Sequence, residues 1–368
     1  MNYRLSELAA ADERRVAVQN AAVDFLSREW SLAALRACME GEGIVDAPSL
    51  WSGMRRLEWH RIEPFALEPE HAFGASELCG ILEETGRALA PTPLVPCVVG
   101  RSIRSVTSAG LSSRPDDLAV LAHLEPERTS DRLRTGVVAT EAGGMFRLTG
   151  EKRFVAYGLQ ADLLLVSAVD ARGSVGIFAI DAGEHGVERK ALRLLDGSPC
   201  AVIRLDEARA MPLTTGDEAR RILRDALSLE TMARCAELVG VADRALELAV
   251  EYAKHRVAFD RPIGTFQAVQ HRLVNLRGHV EVTRALYQAA ALARSEERSA
   301  NAAMAAFSAL DDLRKVPEGA LQVFGGIGTT WEHDIHLFVR RAATLVSLLG
   351  ERSAFREEIV RHLEAARE

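Results

Sequence analysis

The chain has 368 residues, of which 48% are hydrophobic and 26% are charged, and its formal net charge is −7. These values are typical of a globular protein with large cores, and they provide no basic field for binding nucleic acid. No apolar run approaches the ~18 residues of a membrane span, and the acidic N-terminal segment fits neither a secretory signal nor a transit peptide. Because the five cysteines are odd in number and scattered, we expect reduced thiols and a cytoplasmic location.

Residues 1–110 have the pattern of a helical domain. Apolar residues recur at three- and four-residue spacing in SLAALRACMEGEG, LWSGMRRLEW and SELCGILEETGRALA. The PTPLVP segment ends the last of these helices, since proline lacks the amide donor that a helix needs.

Residues 111–215 have a different pattern, which predicts an antiparallel β-domain. Short apolar runs are bounded by glycine, aspartate or serine, as in ADLLLVSAVD and VGIFAID. Residues 216–368 return to long helices, one of which is predicted from Asp217 to His255. The sequence therefore predicts an α+β fold, mostly α, in which two helical domains flank a β-domain.

Two segments of the C-terminal region break the helical pattern. In EYAKHRVAFDRPIGTFQAVQH, a turn needs only Pro262 and Gly264, so Arg256 and Phe259 predict contact with a ligand. In QVFGGIGTTWEHDIHLFVRRA, the Gly-Gly turn either caps a helix or lets backbone amides approach a ligand. This turn lacks the strand of a dinucleotide fingerprint and the lysine of a P-loop. The histidines and acids of 332–336 lack HExxH spacing, so a polar interface is predicted there and no metal site.

Together these two segments resemble the acyl-CoA dehydrogenase family. That family has an N-terminal helical domain, a middle antiparallel β-domain and a C-terminal four-helix bundle, which is the order predicted from the residue pattern. The resemblance implies FAD as the cofactor, held between two subunits, so that residues 256–264 (the elbow) of one subunit reach the flavin of the other. It also implies an oligomer, either a homo-oligomer or a heterotetramer with a second acyl-CoA dehydrogenase subunit.

The resemblance assigns roles to residues of both segments. Arg256 would meet the flavin pyrophosphate, since a planar guanidinium suits paired phosphate oxygens. Phe259 would pack on the adenosine and ribityl portion, and Asp260 stands where the family usually has glycine. The other residues implied to line the dinucleotide are Gln267, Gln322, Gly325 and Gly326.

The β-domain matches the family pattern less well. In LEPERTSD at 124–131, Ser130 persists and is implied to contact the cofactor. In GEKRFVAYG at 150–158, Phe154 replaces a tryptophan, and Ala156 replaces a threonine whose hydroxyl usually approaches flavin N5. The backbone at Ala156 can still contact the flavin, so we expect FAD to be bound but held less tightly on this side.

The family chemistry needs a carboxylate that removes a proton from Cα of an acyl-CoA while hydride leaves Cβ for the flavin. Many members carry this glutamate before a glycine near the C-terminus, where this sequence has Leu349 before Gly350; Glu351 follows the glycine and is out of the required register. The isovaleryl-type branch instead places it 26 residues before the elbow arginine, which is Glu230 here. The resemblance favours Glu230 as the base. The alternative for this residue is an ion pair with Arg234 at i+4.

The sequence therefore predicts an FAD-dependent acyl-CoA dehydrogenase that forms a 2,3-enoyl-CoA and passes electrons to an electron-transferring flavoprotein. A base on the earlier helix often accompanies bulky acyl chains, so branched or ring-bearing esters are favoured. Two alternatives stay open. The altered β-domain is also consistent with a weakly catalytic or non-catalytic partner subunit of an α2β2 enzyme. A flavin oxygenase on the same fold is disfavoured, because that chemistry needs no α-proton base.

Overall fold

A computed structural model describes residues 5–40, 44–64, 74–107, 116–127 and 131–365. Helices come first, strands follow and helices return, which confirms the predicted order. The helices before the sheet are α1 (Leu5–Glu29), α2 (Leu32–Glu40), α3 (Pro48–Arg56), α4 (Ala75–Arg87) and α5 (Leu94–Val106). Within the described residues, no helix combines the length and the hydropathy of a membrane span.

The helices after the sheet begin with the longest element of the chain, α6 (Gly216–His255), which confirms the helix predicted from Asp217 to His255. The helices that follow are α7 (Gln267–Leu292), α8 (Ser295–Ser308), α9 (Lys315–Phe324), α10 (Ile335–Leu349) and α11 (Arg352–Ala365).

The chain divides into two compact units, and the boundary between them falls inside α6, after Glu230. The three domains that the sequence pattern indicates, 1–110, 111–215 and 216–368, stay a prediction. The helical unit comprises Met1–Glu42, Phe73–Ala90 and Thr231–Glu368, and the sheet unit comprises Gly43–Ala72 and Pro91–Glu230.

The strands of the sheet unit are β1 (Ala119–Ala122), β2 (Val138–Ala142), β3 (Met145–Ala156), β4 (Leu163–Val169), β5 (Val175–Asp181), β6 (Val187–Ala191) and β7 (Cys200–Thr215). They form a seven-stranded sheet in the order β1-β4-β2-β3-β7-β5, in which β6 pairs with β7 and β4 also pairs with β5. Most neighbours are antiparallel, as predicted, but β1 and β2 both lie parallel to β4. These parallel pairings are possible because at least one other strand comes between the partners in the chain and provides the long connection that parallel strands need.

The strand β6 is not apparent in the sequence. Its residues, VERKA, carry three charges, and all five are exposed or half-buried. It pairs with β7 alone, so hydrogen bonding to a neighbour creates this edge strand rather than any apolar alternation of its own.

Two glycines bring α4 and α6 into close contact within the helical unit. A Cβ on Gly86 would lie 2.0 Å from the carbonyl oxygen of Glu237, and one on Gly240 would lie 1.8 Å from that of Glu83. Any larger residue at either position would force the helices apart, so the absence of a side chain determines this crossing.

A buried network of charges joins the same two helices to α7. Arg284 donates to Glu83 at 2.7 Å and to Asp243 at 2.9 Å, and the Tyr287 hydroxyl also donates to Glu83. Arg87 donates to the same carboxylate oxygen of Asp243 at 3.0 Å. Because every buried carboxylate here has a cationic partner, the desolvation of these charges is compensated.

Candidate active site

The elbow contains a β-hairpin with a two-residue turn, directly after α6. The short strands β8 (Val257–Ala258) and β9 (Arg261–Pro262) pair antiparallel, and Phe259 and Asp260 form the turn with φ of 52° and 62°. Positive φ at both turn residues is the type I′ geometry, which suits the twist of paired strands. Aspartate tolerates this region, whereas phenylalanine adopts it at a steric cost. Strained non-glycine residues of this kind cluster at functional sites.

Two side chains of the elbow contact Phe266, and a third has no side-chain partner among the described residues. The Phe259 side chain is 88% exposed and touches Phe266 only edge-on, with ring centroids 6.2 Å apart. The guanidinium of Arg261 lies 4.1 Å from the centre of the Phe266 ring. Arg256 is also exposed, but among the described residues none forms a hydrogen bond or ion pair with its guanidinium. Gln267, at the start of α7, is exposed as well.

The Gly-Gly turn ends α9. Gly325 follows Phe324 as the C-cap residue, with φ of 64°, so the capping interpretation of this turn is confirmed. The ligand interpretation stays a prediction. It is supported by the open space at both glycines, because a Cβ on Gly325 or Gly326 would meet no described atom within 4 Å apart from those of the adjoining backbone.

Side-chain contacts bring the elbow and the Gly-Gly turn together on the helical unit. Tyr252, in the last turn of α6, stacks on Phe324 with ring centroids 4.5 Å apart. Arg272 of α7 donates a hydrogen bond to the side chain of Gln322 in α9. The ends of α6 and α9 are therefore neighbours, and the predicted cofactor residues that follow them lie on adjacent segments.

The stretch 332–336, where the sequence predicted a polar interface, makes packing contacts. Asp334 forms an ion pair with Arg36 at 2.5 Å, and the His333 ring packs at a tilt against Phe324, with ring centroids 4.2 Å apart. Within the described residues, no three histidine, cysteine, aspartate or glutamate side chains are grouped to hold a metal ion.

In the sheet unit, the segment predicted to face the flavin contains a buried lysine that the sequence did not single out. Lys152 is fully buried and donates to Glu125 at 2.5 Å, to Thr135 at 2.8 Å and to Ser167 at 3.1 Å. Burial lowers the pKa of Lys152 to about 8, against the opposing effect of Glu125. Burial by itself raises the pKa of Glu125. The charge of Lys152 and the hydrogen bonds from Lys152, Thr135 and the Gly136 amide together outweigh burial, so the pKa of Glu125 is lowered. All three ammonium donors are used inside the chain, so Lys152 has a structural role.

The backbone after Lys152 is irregular. A bulge interrupts the pairing of β3 with β7 between Lys152 and Val155, and both Phe154 and Tyr157 have φ of 55°. Ala156, at the end of β3, is half-buried and pairs with Cys200. The predicted contact residue Ser130 lies outside the described residues.

Glu230 contacts a histidine that sequence analysis missed. His123 follows β1 directly, and its Nε2 lies 3.5 Å from Oε2 of Glu230. Both side chains belong to the sheet unit and are largely buried, at 10% and 13% exposure. A polar residue at the end of the apolar run AVLA was the only available signal, and it is a weak one.

The competing position for the base lies at the end of α10. Leu349 is 3% exposed and ends that helix, and Gly350 follows it with φ of 105°. Glu351 is exposed at the surface of the helical unit. The structure therefore places an apolar core residue where many members of the resembled family carry a carboxylate.

Comparison with known proteins identifies the chain. Residues 220–364 match the acyl-CoA dehydrogenase C-terminal domain. The chain is 30% identical over 344 residues to the acyl-CoA dehydrogenase IpdE2 of Mycolicibacterium smegmatis, in an alignment that covers 92% of this chain and 95% of the relative. The chain belongs to the acyl-CoA dehydrogenase family.

Solved structures agree with this family. The ChsE4-ChsE5 complex from Mycobacterium tuberculosis is 26% identical, with a TM-score of 0.84 and coverage of 96% of this chain and 97% of that one. A variant of the Tcur3481-Tcur3483 steroid ACAD is also 26% identical, with a TM-score of 0.83 and coverage of 97% and 100%. The predicted acyl-CoA dehydrogenase-like fold is thereby confirmed. Acyl-CoA dehydrogenases are FAD-dependent oxidoreductases, so the predicted cofactor and enzyme class are confirmed as well.

The residues of the helical unit fit FAD by their chemistry. A pyrophosphate needs a planar cation without an internal partner, and Arg256 is such a cation among the described residues. An adenosine or ribityl group needs an exposed apolar surface, which the Phe259 ring provides. Close approach of a dinucleotide to the backbone needs open glycines, such as Gly325 and Gly326.

Proposed function

We propose that this protein catalyses the α,β-dehydrogenation of an acyl-CoA thioester to a 2,3-enoyl-CoA, with Glu230 as the base. The proposal is supported by the difference between the two positions at which the family places the catalytic carboxylate. Glu230 is a carboxylate whose side chain is 13% exposed, whereas Leu349 is an apolar side chain at 3% exposure. Only the first of these residues can accept a proton.

In the proposed reaction the Glu230 carboxylate takes the proton from Cα, and the electron pair of that bond becomes the second bond between Cα and Cβ. Bound FAD supplies the acceptor for the hydride that leaves Cβ. Because Glu230 is largely shielded from water, the abstracted proton is exposed to little exchange with solvent during this step.

The proposal assigns cofactor binding to both units. Arg256 would pair with the pyrophosphate and Phe259 would cover the adenosine and ribityl portion. In the sheet unit, the backbone at Ala156 would approach the ring system. The other proposed contacts are Ser130, Gln267, Gln322, Gly325 and Gly326.

Absorption spectra and two glutamate variants test the assignment. The purified protein should show flavin absorption bands. It should reduce an electron-transferring flavoprotein when supplied with branched or ring-bearing acyl-CoA esters.

Glu230→Gln should keep the flavin bands and lose about 10²–10⁴-fold in kcat, because it removes the proton acceptor. Glu351→Gln is the matched control and should keep full activity. Full activity of Glu230→Gln, or loss of activity only in Glu351→Gln, would remove Glu230 as the base.

A second candidate is a partner subunit of an α2β2 enzyme, in which this chain binds flavin mainly through the elbow that it lends to the other subunit. Two observations favour it. Phe154 and Ala156 depart from the family pattern on the flavin-facing side, and similar structures include the ChsE4-ChsE5 complex. The similarity to the Tcur3481-Tcur3483 protein, a steroid ACAD, also supports a bulky, ring-bearing acyl group as the substrate class.

Native mass spectrometry distinguishes the two assemblies. The chain should be expressed alone and together with an acyl-CoA dehydrogenase encoded beside it. A homo-oligomer with one FAD per chain supports the self-sufficient enzyme. A mixed tetramer with one FAD per two chains supports the partner subunit, and a flavin-bearing monomer contradicts both. A cytoplasmic location remains part of the proposal.

A further inference from the structure

We propose that His123 is a positioning residue that orients the carboxylate of Glu230, a role that rests on the function proposed above. The imidazole Nε2 lies 3.5 Å from Glu230 Oε2, and the two side chains are 10% and 13% exposed. Because both are largely shielded from water, this contact is less screened than a surface pair of the same length.

The backbone that carries His123 is anchored on both sides. All four residues of β1, which ends immediately before His123, are buried in the sheet. On the other side, the carbonyl oxygen of Leu124 accepts a hydrogen bond from the Arg153 amide at 2.8 Å. Glu125 is then held by the buried lysine of β3. The backbone of His123 is therefore held in place, and a side chain that orients another one needs such a fixed backbone.

Such a contact matters for Glu230 because the backbone position of a residue does not by itself fix a long side chain. The preceding residues of α6, at 226–229, are buried and hold the backbone in place. A glutamate side chain nevertheless has three torsions, so a fixed backbone leaves several carboxylate positions accessible. An N–H at the position of His123 Nε2 that donates to Oε2 favours one of these positions for the carboxylate that accepts the proton of Cα.

This role requires a hydrogen-bond donor and no positive charge. A neutral imidazole protonated on Nε2 donates as well as an imidazolium does. A glutamine at the same position carries its amide nitrogen at a similar distance from the backbone, whereas phenylalanine has the ring without a donor. The pair His123→Gln and His123→Phe therefore separates the donor from the volume of the ring.

Steady-state kinetics provides the main test. The probes are isovaleryl-CoA and cyclohexanecarboxyl-CoA, with ferrocenium as the electron acceptor. His123→Phe should lower kcat by roughly 100-fold while KM stays within about threefold, because the step affected is proton abstraction rather than binding. His123→Gln should recover most of this loss. His185→Gln, at an exposed histidine of the sheet unit, is the control and should match the wild type.

The outcomes separate this proposal from the function on which it rests. Full activity of Glu230→Gln removes the base itself, whatever the His123 variants do. An inactive Glu230→Gln together with a fully active His123→Phe overturns the positioning role alone. If His123→Gln is as slow as His123→Phe, the histidine acts by its shape, and the proposal is again wrong.

Thermal unfolding provides a readout that needs no substrate. The midpoint temperature is measured for His123→Phe, Glu230→Gln and the double variant. If the two side chains are coupled, the double variant should be less destabilised than the sum of the single variants. Additive shifts in the midpoint temperature would show that His123 and Glu230 are not coupled. This test applies even if the protein turns over neither thioester. Should His123→Phe fail to fold, His123→Leu takes its place as the variant without a donor.

Discussion

The elbow and β3 each carry a cationic side chain, and the two differ in burial and in hydrogen-bond partners. Lys152 in β3 is fully buried, and its three donors are all satisfied by side chains of the same unit. Arg256 in the elbow is exposed, and no described residue pairs with its guanidinium. Lys152, which stabilises the fold, thus has its partners within the chain, whereas Arg256, the cation proposed to bind the FAD pyrophosphate, has none among the described residues.

The two regions share a backbone feature that would otherwise hide this difference. Phe259 in the elbow and Phe154 in β3 are both aromatic residues at positive φ, with values of 52° and 55°. Backbone strain therefore marks both segments as unusual, but it does not say which one contacts a ligand. The two segments differ instead in the partners of the nearby cation: those of Lys152 lie within the sheet unit, whereas Arg256 has none among the described residues.

The largest effect should come from removing the buried cation. Lys152→Met leaves Glu125 charged and without its partner, so we expect the free energy of unfolding to fall by about 3–5 kcal/mol. Chemical denaturation measures this. Lys190→Met, at an exposed lysine of β6, is the control and should change stability by less than about 0.5 kcal/mol. Equal effects of the two variants would mean that the Lys152 network does not stabilise the sheet unit.

The same network should respond to acid. Lys152 holds the folded-state pKa of Glu125 below the ordinary carboxyl value of 4.5. The stability that this pair contributes is therefore fully present above about pH 4.5 and is lost as the pH falls through the lowered pKa. Denaturation midpoints measured below pH 4.5 should fall more steeply in the wild type than in Lys152→Met.

Arg256→Ala should affect the cofactor and leave the fold nearly unchanged. Loss of a charged contact to phosphate is worth about 1.5–3 kcal/mol, or roughly a 10- to 150-fold loss of FAD affinity. Fluorescence titration of the apoprotein with FAD measures the affinity, and gel filtration checks that the subunits stay assembled. Arg356→Ala, at an exposed position of α11, should bind FAD as the wild type does. Undiminished FAD affinity in Arg256→Ala would show that Arg256 does not bind the cofactor, and the comparison with Lys152 would then be wrong.

Ala156→Thr should strengthen the weaker side of the flavin site. The added hydroxyl restores the hydrogen bond that the family pattern places there, which is worth about 0.5–1.5 kcal/mol of FAD affinity. Ala156→Val adds nearly the same volume without a donor and is the matched control. If both variants bind FAD more tightly, packing rather than the hydroxyl is responsible.

Phe259→Gly should lower FAD affinity while changing the stability of the fold only slightly. Glycine adopts φ of 52° without strain, which should offset part of the entropy that glycine adds to the unfolded chain. We therefore expect the free energy of unfolding to change by less than about 1 kcal/mol, while FAD affinity falls because the exposed ring is lost. Loss of stability together with undiminished FAD affinity would show that the ring serves the fold.

Much of the architecture was predictable because it is local. The periodicity of apolar residues predicted α6 to within one residue at its start. Pro262 and Gly264 predicted an interruption after this helix, but the turn itself is formed by Phe259 and Asp260. The alternating runs of the middle region predicted most strands of the sheet. The two C-terminal motifs predicted the family, since they combine residue types that a simple connector does not need.

The features that the sequence did not reveal depend on residues that are far apart in the chain. The strand β6 exists because β7 pairs with it, and the tight crossing of α4 and α6 needs two glycines from different regions. Lys152 is ordinary in sequence and becomes a buried structural cation only when the sheet brings it to Glu125. His123 likewise gains a role only beside Glu230.

By itself, the sequence determined the order of the elements, the family and the residue types available for a flavin and a base, because periodicity, turn chemistry and motif spacing are properties of neighbouring residues. Only the tertiary structure decided which of those polar residues are satisfied within the chain. Burial and hydrogen-bond partners are set by packing between distant segments, and the same lysine or histidine has no fixed role until that packing is formed.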